Sequence, residues 1–240
     1  MARQTDMEFA VSRQSLTNLR MRGGRLAEFV SVASRFDGCS FRDVQIADAS
    51  LGEGGVPSVY VDCVFDGCQI RQASGIARFE RCSFRDIDLR GWDSTTIELV
   101  DCTFTGRFTK VLFYGHPNKM NMKEGEERVN EFHGNDFTGV EMVDTEFRWG
   151  IDLTRQKLPD GPQYLYLPDS AATVAHVREM LPGLDPELRR KVDFKLRSIE
   201  REISYGQTQA LLRTNKYLDQ ETLDFLRTYA TTLRPTGQTP

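Results

Sequence analysis

The chain has no run of about eighteen apolar residues, and so offers no membrane-spanning helix. It holds only three histidines, His116, His133 and His176, none at motif spacing from a cysteine or carboxylate. Phosphate-cradling glycine loops, the dinucleotide-binding glycine pattern and Gly-x-Ser-x-Gly are all missing. Paired carboxylates such as Asp86 and Asp88 flank an apolar Ile87 and point to solvent. These absences predict a protein without catalytic residues, metal or cofactor. Positive charge is not in excess, with 31 Lys+Arg against 35 Asp+Glu, which gives no general case for direct nucleic-acid binding. Apolar residues make up only 39%, which suits an elongated fold better than one compact core. The segment Met1–Asp6 lacks the apolar centre of a signal peptide, so the expectation is a cytoplasmic protein. The five cysteines are odd in number and match no zinc spacing.

What the chain does have is a period of five. Phe36, Phe41, Ile46 and Leu51 recur every fifth position, each preceded two residues earlier by a smaller side chain, Ser34, Cys39, Val44 or Ala49. Five fits neither the helix nor the plain strand, and requires a chain that turns a corner every five residues. The phase runs back through Val11, Leu16, Met21 and Leu26, weakening at Ser31. It breaks at Gly52–Pro57, resumes at Tyr60, Phe65 and Ile70, slips by one near Ala73–Gly75, and resumes at Phe79, Phe84 and Leu89, then Leu99 and Phe104.

A longer repeat contains the shorter one. Phe41, Phe65, Phe84 and Phe104 are matched by Cys39, Cys63, Cys82 and Cys102, each two residues earlier. Every cysteine, Cys68 included, sits two before a Phe or Ile, the slot of a small buried hydrophobe. Four pentapeptides make one four-sided coil, and parallel stacking at about 4.8 Å sets equivalent residues above one another. Six coils then span about 30 Å.

The units Cys39-Ser40-Phe41-Arg42-Asp43, Cys63-Val64-Phe65-Asp66-Gly67 and Cys82-Ser83-Phe84-Arg85-Asp86 resemble the pentapeptide-repeat family. The resemblance covers roughly residues 11–153. It implies a mainly β fold, a right-handed quadrilateral β-helix (a pentapeptide-repeat solenoid), followed here by a small α-helical region. The expected organisation is a β-helix over 1–153, a linker over 154–168 marked by Pro159, Gly161, Pro162 and Pro168, and an α-helical region over 169–240. Helices are expected over Ala171–Leu181, from Asp185-Pro186-Glu187 to near Gly206, over Thr208–Asn215, and after a cap at Asp219.

Function is sought where regularity fails. The phase is lost over about 110–131, a polar insertion that is either a docking loop or a tolerated excursion. Its candidate partner-binding residues are His116, Asn118, Lys119, Met120, Lys123, Glu124, Glu126, Glu127 and Arg128. Arg71, Arg90 and Lys110 follow Ile70, Leu89 and Thr109 and are expected to form a like-charged column, suited to an acidic or phosphate-bearing partner or else merely solvated. Leu223, Leu226, Tyr229 and Leu233 form a stripe on the last helix that must be buried on the helical region itself, on the end of the coils or on a second copy, and could so dimerise the chain or dock it. The resulting expectation is a non-enzymatic protein-interaction module with no membrane and no direct nucleic-acid contact.

The family resemblance adds an alternative. Its best-known branch resembles duplex DNA in size and negative surface, acts on bacterial type II topoisomerase such as gyrase, and protects it from antibiotic poisons. Residues 1–153 carry a balance of −6, against +2 for 154–240, which is compatible with such a DNA mimic. Yet Arg42, Arg81 and Arg85 interrupt the acidic columns, and are expected to pair with acids in neighbouring coils.

Overall fold

A computed structural model describes residues 7–117 and 128–232. They fall into two compact units: one runs to Glu146 and includes Ile151–Pro159, the other takes in Phe147–Gly150 and the chain from Asp160 onward.

The first unit is a mainly β solenoid. Its coil strands pair in parallel, and the registers follow the period of five. One side aligns Leu16, Phe36, Tyr60, Phe79, Leu99 and Phe132 in a six-stranded sheet. A second side aligns Met21 with Phe41, and Phe84 with Phe104. A third aligns Leu26, Ile46, Ile70, Leu89, Phe108 and Met142. The fourth aligns Phe9, Phe29, Ala49, Ala73, Trp92 and Val111.

Corners are made by residues in the left-handed region. Asn18, Gly38, Asp62, Arg81, Asp101 and Gly134 all have φ between 52° and 70°. They form one column, and each donates its N–H to the next coil, as Asp62 does to Glu80 at 3.0 Å and Arg81 to Val100 at 2.9 Å. Asx side chains and glycine tolerate this conformation best, which is why they recur here.

Aromatic rings fill the interior. Phe41, Phe65, Phe84, Phe104 and Phe137 stack nearly parallel with centroids 4.8–5.2 Å apart. Phe36, Tyr60 and Phe79 make a second stack at 4.5–4.6 Å. Beside them runs the column of Cys39, Cys63, Cys82 and Cys102, with Cys68 on another side, and all five thiols are free and buried. The Cys63 Sγ reaches the Phe36 carbonyl at 3.4 Å, and the Cys82 Sγ that of Tyr60 at 3.4 Å. In return the backbone of Cys39 hydrogen-bonds Cys63, and that of Cys63 hydrogen-bonds Cys82.

The column ends on an amide. Asn135, two before Phe137, occupies the next cysteine slot and is fully buried. Its Nδ2 donates to the Leu99 carbonyl at 2.8 Å, and its Oδ1 accepts from the Cys102 N–H at 3.0 Å. Gln156 lies one level further, accepting from Asn135 Nδ2 at 3.0 Å and donating to the Phe132 carbonyl at 2.9 Å.

The second unit contains helices α1 (Ser170–Met180), α2 (Pro186–Ser204) and α3 (Gln220–Thr232). Three aspartates start them, as their sequence positions predict: Asp169 accepts from Ala172 N at 2.9 Å, Asp185 from Leu188 N at 3.1 Å, and Asp219 from Thr222 N at 2.9 Å. Val192, Leu196 and Ile199 of α2 are buried with Val174 and Val177 of α1 in the unit's core.

Three expectations are corrected here. The linker over 154–168 contains a strand, Tyr164–Leu167, whose Leu167 is fully buried. The helix expected over Thr208–Asn215 is instead the strand Ala210–Arg213, pairing antiparallel with Tyr164–Leu167. A four-residue apolar run carries no decisive period, and its partner is too distant in sequence to announce itself. Finally, Leu223 and Leu226 are fully buried in the unit's own core with Tyr229 packed against it, so that stripe is not a free docking face; Leu233 lies outside the described residues.

Candidate interaction site

The insertion begins later than its sequence suggests. The strand Thr103–Tyr114 runs through Lys110, and Val111 and Phe113 point into the core. The excursion leaves at Gly115 and is back by Asn130, where the Asn130 N–H donates to the Gly115 carbonyl at 2.8 Å. The Asn130 side chain, 3% exposed, seals this neck by donating from Nδ2 to the carbonyls of Tyr114 and Thr95, both at 2.9 Å. Leu99 and Phe132 are 33 residues apart yet adjacent in the sheet, against 20 between Phe79 and Leu99, so the loop adds thirteen residues without changing the coil.

Around the neck lies an ion-pair cluster. Arg78 Nη1 donates to Glu98 Oε2 at 2.9 Å and also to Glu131, while Arg128 Nη2 stands 3.9 Å from Glu98 Oε1. The hydrogen bond from Arg78, then its charge, hold the Glu131 carboxyl below the usual range. Val129, beside them, is 72% exposed. The His116 Nδ1 lies 2.9 Å from the Pro117 carbonyl oxygen. Asn118, Lys119, Met120, Lys123, Glu124, Glu126 and Glu127 lie outside the described residues.

The basic column does not extend as expected. Leu89 aligns with Phe108, not Thr109, so Arg90 stands beside Thr109. Lys110 falls on a corner with φ 57°, level with Gly91 at 61° and Asp144 at 49°. The cause is a one-residue register shift at Gly106, whose φ is 105° and whose added Cβ would lie 2.3 Å from the Ile87 carbonyl oxygen. Only Arg71 and Arg90 keep the column, and Arg90 grips Asp88 on its own strand at 2.8 and 3.1 Å. The charges therefore answer one another more than they call for a phosphate.

The alternating columns do pair across coils. Arg81 makes a two-point contact with Asp62 at 2.9 and 3.1 Å, and Arg42 lies 3.4 Å from Asp66. Asp66 also accepts from the Ser83 hydroxyl at 2.6 Å and the Arg85 N–H at 2.9 Å.

Among the described residues no three of His, Cys, Asp and Glu gather as a metal-holding group. Three of the thiols are held in the protonated form that makes a poor nucleophile. Burial first, then a hydrogen bond with Cys102, pushes the Cys82 thiol up; the hydrogen bond with Cys82, then burial, does so for Cys63; and burial lifts Cys68 to about 11.

No protein-family model and no curated protein matches the chain. Among solved structures, a trypsin-treated form of QnrB1, a plasmid-mediated fluoroquinolone resistance protein, is 16% identical over 64% of this chain and 79% of that one, with a TM-score of 0.19. That score adds nothing to the fold, which the coil registers above establish by themselves.

One surface was not singled out in the sequence. A groove of about 460 Å³ lies in the second unit, with Leu181, Leu184 and Pro186 in its lining. Arg178, Arg189, Arg190 and Arg197 line it, with Asp193 as the one acid. The adjacent pair Arg189-Arg190, followed by Phe194 and Arg197 on a helix, was the available signal.

Proposed function

We propose that this chain is a pentapeptide-repeat protein acting as a non-enzymatic protein-interaction module. The coils serve as a scaffold, and the loop after Tyr114 and the helical region serve as docking elements. The observation that carries this reading is the closed neck between Gly115 and Asn130. A loop whose ends are tied to the coil by backbone and by a buried amide can carry recognition residues without disturbing the coil. Buried thiols, and histidines at no motif spacing in the sequence, give a catalytic alternative less support. The decisive experiment compares partner capture by the full chain and by a variant with residues 116–128 replaced by a short Gly-Ser linker. Loss of capture in a folded variant supports the reading. Undiminished capture removes the loop from it.

A second reading, a DNA-mimicking protein that engages type II topoisomerase, draws on the −6 balance of residues 1–153. The pairing of Asp62 with Arg81 and of Asp66 with Arg42 works against it, because a mimic of duplex DNA needs carboxylates unanswered at the surface. A supercoiling assay with purified gyrase, with and without a fluoroquinolone, separates the two. No change in either condition at micromolar protein removes this second reading.

A further inference from the structure

The arginine-lined groove of the helical unit joins three features. Its apolar lining is Leu181, Leu184 and Pro186. Two of its arginines are held in place. Arg178 donates to both oxygens of Glu200 at 2.7 Å and to Asp193 at 3.1 Å, and Arg197 pairs with Asp193 at 2.8 Å. The other two, Arg189 and Arg190, are exposed on the first turns of α2, and no side-chain ion pair engages either among the described residues. Phe194, 59% exposed, follows Arg190 by four residues and precedes Arg197 by three, so all three share one helix face. A large ring left in water between guanidinium groups marks a contact surface more than a folding feature.

We propose that this groove and the adjoining Phe194 face bind an acidic peptide segment that carries an apolar side chain. The apolar side chain rests on Leu181, Leu184 and Pro186, and the carboxylates meet Arg189, Arg190 and Arg197. Charge complementarity selects the occupant: four arginines face one lining aspartate, and that aspartate is already engaged by two of them. A small phosphate ion fits less well, because Arg197 is 73% and Arg178 38% exposed and nothing encloses an ion. A bilayer cannot enter a concave groove. The proposal deepens the interaction reading above, and rests on it in taking the helical region as a docking element.

The test is fluorescence anisotropy of the full chain with a labelled peptide, Glu-Asp-Glu-Leu-Glu-Asp-Glu, at low ionic strength. Saturable binding is expected, weakened about tenfold or more by Arg189→Glu with Arg190→Glu, and similarly by exchanging the peptide's acids for amides. Phe194→Ala, or serine in place of the peptide's leucine, should also weaken it. Circular dichroism confirms that the variants, altered only at exposed positions, stay folded. The proposal is overturned by absence of saturable binding, by unchanged binding in the charge-reversed variant, by equal competition from pyrophosphate, or by phosphatidylserine vesicles binding where the peptide does not. If the peptide fails while the loop still captures a partner, the groove proposal falls alone. If neither binds, the interaction reading falls with it.

Discussion

Asn135 Nδ2 donates to the Leu99 carbonyl at 2.8 Å, taking the place of the cysteine thiol that meets the Tyr60 carbonyl two coils earlier, at Cys82. The same amide accepts from the Cys102 N–H, as sulfur does below it. A strong donor and acceptor thus replace a weak one where the column meets Gln156. Asn135→Ala leaves the Cys102 N–H buried without a partner and takes one of two donors from the Leu99 carbonyl, and should cost about 1–3 kcal/mol. Asn135→Cys restores the thiol pattern and should be milder by about 1 kcal/mol. Urea denaturation of both variants checks the order; equal losses would show that only packing matters at this site.

Phe84 lies between Phe65 at 5.0 Å and Phe104 at 4.8 Å, and is 2% exposed. Phe84→Ala removes a rung and should cost about 3–5 kcal/mol. Chemical denaturation monitored by far-UV circular dichroism measures it. A neutral result would refute the coil register.

Gly106 must accept a φ of 105° against the Ile87 backbone. Gly106→Ala adds a carbon where only hydrogen fits, and should cost about 1–3 kcal/mol in strain alone. Gly23, with open space around it at φ 66°, is the control: Gly23→Ala should be milder in the same thermal melts.

The buried thiols give an alkaline signature. Burial lifts the Cys68 thiol to about 11 in the folded chain, against about 8.5 when unfolded. A raised pKa contributes stability that is complete below the unfolded value and lost as pH rises through the folded one. The urea midpoint should therefore fall between about pH 8.5 and 11, less steeply in Cys68→Ala. The native thiols should also resist a disulfide reagent until the chain unfolds. Rapid labelling at neutral pH would contradict the burial.

Replacing residues 116–128 by a short Gly-Ser linker keeps Gly115, Asn130 and their hydrogen bond. It removes the half-exposed Arg128–Glu98 pair, worth up to about 1 kcal/mol. The coils should melt within a few degrees of the parent. Collapse of the fold would make the loop part of the core.

The period of five made the coils readable, because every fifth side chain must be apolar for four corners to close. The cysteine slot followed from the same arithmetic. Lys110 was misread because Gly106 shortens its coil by one residue and brings Phe108, not Thr109, beneath Leu89. Gly106 and Phe108 carried the signal, but a glycine at that place reads equally well as an ordinary corner. The pairing of Tyr164–Leu167 with Ala210–Arg213 was hidden for another reason: neither strand has meaning without its partner. The arginine groove was half visible, since Arg189-Arg190 is plain in the sequence, whereas the apolar lining beside it exists only once α1 and α2 have packed.

The stacked rings have a mechanical consequence. Within its stack each Phe between Phe41 and Phe137 meets one rung before it and one after it, while edge contacts such as Phe79–Phe84 tie it sideways to the second stack, so tension applied along the column passes through one coil interface at a time. Pulled from its ends, such a molecule would lengthen in discrete coil-sized steps, as a zipper does, and the weakest rung would set the force at which the first tooth opens.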